Sequence, residues 1–227
     1  MLQFISLVVS AALCCGQASP APTELTVKGG GSRGTLVVSA EGIEFRAASP
    51  EKSRRWTYSE IRDVRIEDAT HLVLDTYQTR SRWRFGRAKR TEFDVTSGAI
   101  TGDVVAGILA HAPRAMVTSV VPAGLPEATA TVPVSHRRFG TATQGTLEFS
   151  SAGLLYRSAS ASDSRFWRFV DLQSVARTSP FEVLVTAYEG DGLHPYTYEL
   201  KAPLPEDAYD AFWRRLNPRQ LKEAGAR

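Results

Sequence analysis

The residues with the clearest chemical potential in this 227-residue chain form a cluster of six basic side chains. The cluster consists of Arg80, Arg82, Arg84, Arg87, Lys89 and Arg90, and no acidic residue interrupts it. Alternate residues of an extended strand point to the same side, so Arg80, Arg82 and Arg84 are predicted to share one face. Gly86 then predicts a turn, and we call residues 80–90 the basic hairpin. A row of guanidinium groups is suited to phosphates, carboxylates or an anionic surface.

The basic hairpin accounts for the whole charge asymmetry of the chain. Residues 19–114 include 15 basic and 12 acidic residues, whereas residues 115–227 include 12 of each. An internal repeat places a shorter stretch at the equivalent position, and that stretch carries Glu189 and Asp191 instead. A fold that occurs twice therefore does not require the basic residues. Two interpretations remain open. The hairpin is a contact for an anionic partner, or it is a solvated hairpin whose arginines pair with Glu92, Asp94 and nearby acids and discourage edge-to-edge strand pairing.

Motifs for catalysis and metal binding are missing from the sequence. It has no Gly-x-Ser-x-Gly elbow, no phosphate-binding Gly-Lys-Ser/Thr loop and no His-Glu-x-x-His. The histidines lack the spacing of metal ligands and are predicted to be surface or loop residues: His71, His111, His136 and His194. The glycines at 29–31 join two predicted strands, which favours a hairpin turn over a phosphate site. The sequence therefore predicts no catalytic residue, no metal and no cofactor.

The N-terminal segment is typical of a signal peptide. Residues 4–15 are all apolar or small, a run that is shorter than the roughly 20 residues needed to span a bilayer. Small residues at 16 and 18 predict cleavage after Ala18 and export to the periplasm or the medium, although no Lys or Arg precedes the run. Cys14 and Cys15 are the two cysteines of the chain, and neither is preceded by a good lipoprotein signal. We therefore expect no lipid anchor and no transmembrane span in the mature protein.

The chain repeats itself at an offset of 111 residues. Residues 34–77 align with residues 145–188 without a gap, with 13 identities over 44 positions. The identities include Gly42 with Gly153, Arg46 with Arg157, Trp56 with Trp167, and Tyr77 with Tyr188. A period of this length is that of a small domain and is too long for a solenoid unit. The sequence therefore predicts a tandem duplication of one domain.

Each repeat begins with period-two alternation and ends with helical periodicity. About seven strands are predicted per repeat, followed by a helix at 103–111 in the first and at 205–216 in the second. The predicted boundaries are a signal peptide at 1–18, a first repeat at 23–112, a linker at 113–130, a second repeat at 131–217 and a flexible tail at 218–227. Alternation and helical spacing predict the structural core residues Trp56, Trp167, Phe212 and Trp213.

This order of elements resembles the pleckstrin-homology-like (PH-like) superfold, including its GRAM and bacterial PH variants. The resemblance is carried by the Gly-Thr-Leu strands at 34–36 and 145–147, the turns at Gly42 and Gly153, the Trp-x-aromatic strands at 56–58 and 167–169, and the closing helices. It implies a mainly β protein with two tandem, partly open PH-like barrels, each capped by its C-terminal helix. Lipocalin-like or sandwich-like units are the rival interpretation, and a helix at the end of each repeat argues against a plain sandwich.

Two functional hypotheses follow. The first is a non-catalytic, exported binding or scaffold protein that contacts an anionic partner or surface through the basic hairpin; in the PH-like family, ligands often meet the open end of the barrel. The second is a structural or interaction protein that binds a peptide or protein through a sheet edge or the inter-domain groove. Nucleic acid is not expected as a partner, because the net charge is only +3 and export separates the protein from it.

Overall fold

A computed structural model describes residues 22–79, 88–112, 116–138, 140–190 and 192–218. The predicted signal peptide, with Cys14 and Cys15, lies outside the described residues. So do Arg80, Arg82, Arg84 and Arg87 of the basic hairpin, and most of the predicted tail.

The first sheet is an antiparallel meander whose first and last strands pair with each other. Its strands are β1 (Thr23–Gly29), β2 (Ser32–Val38), β3 (Gly42–Ala47), β4 (Arg54–Thr57), β5 (Ile61–Asp68), β6 (His71–Thr79) and β7 (Ala88–Ser97). They are arranged in the order β4-β3-β2-β1-β7-β6-β5. As predicted, the glycines at 29–31 form the hairpin turn between β1 and β2, with positive φ at Gly30 and Gly31.

Helix α1 (Gly102–His111) follows the seven strands and packs against the same core. Val105 and Ile108, two residues of the predicted apolar face, are fully buried there, and Leu109 packs against them from the margin. The apolar helix covers one end of the sheet and shields apolar side chains there that would otherwise be exposed to water. This β meander, its helix and the strand that follows are called the first domain.

The second domain repeats this arrangement. Its strands are β9 (Ala130–Arg138), β10 (Thr141–Phe149), β11 (Gly153–Ser158), β12 (Arg165–Arg168), β13 (Leu172–Ser179), β14 (Glu182–Glu189) and β15 (Gly192–Leu200). The strand order is β12-β11-β10-β9-β15-β14-β13, all antiparallel. Helix α2 (Glu206–Leu216) closes the domain, with acidic residues in its first turn and Arg214 and Arg215 in its last, which suits the helix dipole.

The segment predicted as a linker contributes a strand to the first domain. β8 (Met116–Thr118) pairs in parallel with β5, so the first sheet has eight strands among the described residues. Met116 is fully buried in the core of the first domain. The apolar residues at this position are therefore explained by burial, and β8 covers the edge of β5 that would otherwise be unpaired.

The prediction of a mainly β fold with two similar domains, each of seven antiparallel strands and a closing helix, is confirmed. Trp56, Trp167 and Phe212, all predicted core residues, are buried within these cores. Trp213 is different: it is half-buried and lies outside the core cluster of the second domain. The helix turns the side chain of Phe212 inward, and its neighbour Trp213 lies at the margin of the apolar stripe.

Candidate functional site

The described base of the basic hairpin is tied to the neighbouring strand. Lys89 and Arg90 lie near the start of β7, opposite Thr76 and Asp75 of β6. Arg90 donates from Nε and Nη2 to the two oxygens of Asp75, each at 3.0 Å, in a bidentate pair. The remaining hairpin arginines of the prediction, at 80, 82, 84 and 87, are outside the described residues. Arg90 therefore has a structural partner in Asp75, in line with the interpretation that the arginines pair with nearby acids.

Asp75 belongs to a row of charges across β5, β6 and β7. Arg65 of β5 donates from Nη2 to Asp75 at 3.0 Å, and its Nε lies 3.3 Å from Oδ2 of Asp63. The row therefore runs Asp63–Arg65–Asp75–Arg90, and we call it the charged row. It lies on the outer face of the sheet, because the residues that alternate with it, such as Val64 and Leu74, point into the core.

Asp63 is the most deeply buried member of the charged row, with 1% of its surface exposed. The second domain covers it: a Cβ atom placed on Gly190, in the turn after β14, would lie 3.9 Å from Oδ2 of Asp63. Burial raises the pKa of Asp63 to about 7; Arg65 opposes this increase, and the charges of Asp75 and Glu189 add to it. The Asp63 carboxyl therefore lies at the junction between the domains, where Arg65 offsets only part of the cost of burying its charge.

Glu189, at the end of β14, is the carboxylate that the second domain brings to this junction. It accepts hydrogen bonds from Nε1 of Trp167 at 3.0 Å and from the hydroxyl of Tyr196 at 2.6 Å. The side chain is thus fixed by two donors of its own domain. Asp63 and Glu189 are two carboxyl groups that the docking of the domains brings near each other, and the charge of Glu189 disfavours ionisation of Asp63.

A second polar contact between the domains is made by Arg168 of β12. Its Nη1 donates to the carbonyl oxygens of Leu109 and Ala112, at 2.9 and 2.6 Å, at the C-terminal end of α1. Its Nε and Nη2 donate to Asp171, which is fully buried, at 2.7 and 2.9 Å. A cation at this position satisfies helix carbonyls that lack intrahelical partners and complements the helix dipole. We call this arrangement the arginine clamp.

The duplication shows that the fold does not need the arginine clamp. The repeat aligns Arg168 with Thr57 and Asp171 with Glu60. In the first domain, the backbone N–H and the hydroxyl of Thr57 donate to Glu60 at 2.9 and 3.0 Å, which closes the same turn without an arginine. The long guanidinium side chain of Arg168 is therefore explained by the contact between the domains.

The junction also has an apolar part. Five buried apolar side chains belong to neither domain's core cluster: Val37, Val73, Val117, Leu155 and Phe166. Val37 lines a depression on the outer face of the first sheet, and the other four are candidates for burial between the domains. β8 of the first domain lies against β12 of the second. Since Val117 and Phe166 alternate with core residues on these two strands, we infer that they meet between the domains. Apolar burial, the arginine clamp and the charged row together join the domains.

His136 corrects one expectation from the sequence. It was predicted to be a surface or loop residue, but it is buried, with 4% of its surface exposed, among the rings of Tyr156, Tyr196 and Tyr198. Its Nδ1 lies 3.4 Å from Oδ2 of Asp163, and burial lowers the pKa of the imidazole. A sequence signal for this position exists: Val132 and Val134 alternate with other residues along β9, and continuing the alternation predicts an inward position for residue 136.

A depression of about 250 Å³ lies on the outer face of the first sheet. It is lined by Pro22, Val37, Ser39, Glu41, Gly42, Glu44, Arg46 and Arg55. Arg46 is paired there with Glu24 and Glu44, each at 3.2 Å. Such exposed pairs of both signs are typical of a solvated face.

No group of three or more metal-binding side chains converges among the described residues. Neither α1 nor α2, the two α-helices of the described part, is long and apolar enough to cross a membrane.

Comparisons with known proteins provide little further information. Neither a protein-family profile nor a curated protein sequence matches the chain. Among solved structures, the Spt16D–Pob3N heterodimer is similar with a TM-score of 0.29 and 12% sequence identity, over 74% of this chain and 85% of that chain. A TM-score this low supports no inference about the family or the function of this chain.

Proposed function

We propose that the protein is a non-catalytic, exported binding module with two PH-like domains, and that the basic hairpin is its contact with an anionic partner or surface. The supporting observation is the charge difference between two copies of one fold. The second domain connects β14 to β15 through a short turn that includes Gly190, whereas the first connects β6 to β7 through the basic residues. Because a short turn is sufficient at this position of the fold, the longer basic connection is not needed for folding and can serve binding.

The described surroundings of the hairpin are compatible with this role. Tyr77, near the end of β6, exposes 65% of its surface beside the hairpin, and an exposed tyrosine suits a membrane–water interface. Arg90 is engaged with Asp75, so it anchors the base of the hairpin as well as adding charge. The other five basic residues are therefore the ones to remove in a test.

The test replaces Arg80, Arg82, Arg84, Arg87 and Lys89 together by Ser and leaves Arg90 in place. Binding is measured by sedimentation with vesicles of phosphatidylglycerol and phosphatidylcholine, at low and at high salt. Because each basic residue near such a surface contributes about 1 kcal/mol, wild-type binding should be sensitive to salt and the variant should lose most of it.

The matched control removes five exposed basic residues elsewhere on the molecule: Lys28, Arg33, Arg55, Arg137 and Arg214. It has the same net charge as the hairpin variant, so non-specific attraction to the vesicles falls equally in both. If the two variants bind alike, or if the wild type shows no salt-sensitive binding, the hairpin is not the contact.

A second candidate function is favoured by one specific observation at the edge of β13. In the first domain the equivalent strand, β5, accepts β8 as a parallel neighbour. In the second domain, β13 is the last strand of the sheet among the described residues. The hydroxyl of Tyr209 accepts from the N–H of Arg177 at 3.2 Å and donates to the carbonyl of Val175 at 3.1 Å, so a strand that adds to this edge takes the place of that hydroxyl. We propose as the alternative that an extended peptide adds to this edge, as β8 does to β5.

The edge is tested with a labelled synthetic peptide that has the sequence of residues 115–121. Binding to the wild-type protein, measured by fluorescence anisotropy, should resist high salt because backbone hydrogen bonds carry it. Arg177→Pro removes the N–H that bonds the Tyr209 hydroxyl at this edge and that an added strand would use, so this variant should lose binding. Salt-resistant binding that survives Arg177→Pro, or no binding at all, contradicts the edge hypothesis.

A further inference from the structure

The junction between the domains holds a buried acid with little hydrogen bonding. Among the described residues, neither carboxylate oxygen of Asp63 has a hydrogen-bond partner. Its nearest opposite charge is Nε of Arg65 at 3.3 Å, and Arg65 also serves Asp75. A carboxylate removed from water without hydrogen bonds is costly, whereas the neutral acid in the same place costs far less.

Docking of the second domain creates this situation. The turn at Gly190 lies over Asp63, and Glu189 adds a negative charge near it. The duplication supports a role specific to the junction, because the repeat aligns Asp63 with Ser174, an uncharged residue. The fold itself therefore does not require an ionisable group at this position of the sheet.

We propose that the junction is a proton-linked lock: the two domains dock most tightly when the Asp63 carboxyl is protonated, and its ionisation loosens them. This inference concerns the relation between the domains and does not depend on the function proposed for the basic hairpin. It gives the protein a way to change its domain arrangement with the pH of its surroundings.

The charged groups around Asp63 determine the direction of the effect. Arg62 and Arg65 of the same strand favour the ionised form, while Asp75 of β6 and Glu189 of β14 favour the protonated form. Arg90 of β7 is already bound to Asp75. The 3-10 helix Ala161–Asp163, which also packs against β5, brings Asp163, and this acid is paired with Arg138 at 2.6 Å.

The sign follows from proton linkage. Burial raises the pKa of Asp63 from 3.8 to about 7, so the docked state holds its proton over a pH range in which an exposed aspartate has lost it. Docking is favoured fully below pH 3.8, weakens as the pH rises towards 7, and is constant with respect to this group above that. A rise in pH therefore acts as the signal that opens the lock.

The experiment measures hydrogen exchange of the full chain at pH 5.5 and pH 8.5, corrected for the intrinsic rates. Peptides covering β8 and β12 report on the junction, and peptides covering α2 serve as the internal reference. We expect junction protection in the wild type to fall at least about tenfold at the higher pH, while Asp63→Asn, a neutral isostere, stays within about twofold.

Asp210→Asn, which neutralises an exposed acid of α2, is the control and should behave as the wild type. A carbon-13 titration of the aspartate carboxyls in the wild type provides a measurement that needs no variant. If Asp63 titrates near 4, or if Asp63→Asn loses junction protection at high pH as strongly as the wild type, the lock does not exist.

Discussion

Replacing Arg168 by Thr tests the docking of the domains most directly, because Thr57 occupies the equivalent position of the first domain. The change removes two hydrogen bonds to the α1 carbonyls and two to Asp171. Hydrogen bonds to charged groups each contribute about 1.5–3 kcal/mol, and breaking a buried ion pair costs about 3–5 kcal/mol. These contributions overlap, so we expect Arg168→Thr to lower the free energy of unfolding by about 3–5 kcal/mol.

Most of that loss is the cost of leaving Asp171 buried and unpaired. The double variant Arg168→Thr with Asp171→Glu recreates the Thr57–Glu60 pair of the first domain, in which threonine donors satisfy the carboxylate. It should therefore recover part of the stability and leave a deficit of about 2 kcal/mol, which is the contribution of the contact with α1.

The assay is urea unfolding followed by circular dichroism and tryptophan fluorescence, with hydrogen exchange of residues 108–112 as the local measurement. Both variants should expose the end of α1 to exchange, whatever their global stability. The clamp is refuted as a link between the domains if Arg168→Thr unfolds within about 1 kcal/mol of the wild type, or if exchange at α1 is unchanged.

Two further predictions concern the individual domains. Gly42→Ala and Gly153→Ala should each lower the free energy of unfolding in urea by more than about 1 kcal/mol, because the added Cβ would clash with the carbonyl oxygen of Trp56 or of Trp167. Gly107→Ala, with open space around it, should not destabilise the protein. His136→Gln should flatten the acid side of the stability profile. The pKa of His136 is lowered by burial, so stability is present above the ordinary value of 6.5 and is lost as the pH falls below it. If the free energy of unfolding depends on pH below 6.5 in the same way in the wild type and in the variant, His136 does not contribute to this dependence.

The fold of each domain was largely predictable from the amino-acid sequence. Alternation along the strands identified Trp56 and Trp167 as inward-facing, and helical spacing identified Phe212. These patterns are local, since successive side chains of a strand point to opposite faces and a helix repeats every 3.6 residues. The repeat supports the assignment of the two tryptophans, because Trp56 and Trp167 occupy equivalent positions in the two copies.

The candidate site was predictable only in part. The sequence located the basic hairpin and suggested Glu92, Asp94 and other nearby acids as structural partners of its arginines, without deciding among them. In the structure Arg90 pairs with Asp75, and Asp94 of β7 contacts His71 at 2.8 Å. Which acid lies beside a given arginine on the neighbouring strand depends on the register of the strand pair. The alternation of apolar and polar residues predicts the face of each side chain but does not determine that register.

The sequence by itself determined two copies of one β domain with a closing helix, and a charge cluster present in one copy alone. Only the tertiary structure decided how the copies are joined. Arg168 reaches carbonyls that are 59 and 56 residues away along the chain, and Asp63 lies under a turn of the other domain. The physical reason is that alternation along a strand shows which side chains point away from the core. Whether another domain packs on that outer face depends on segments that are distant in the sequence.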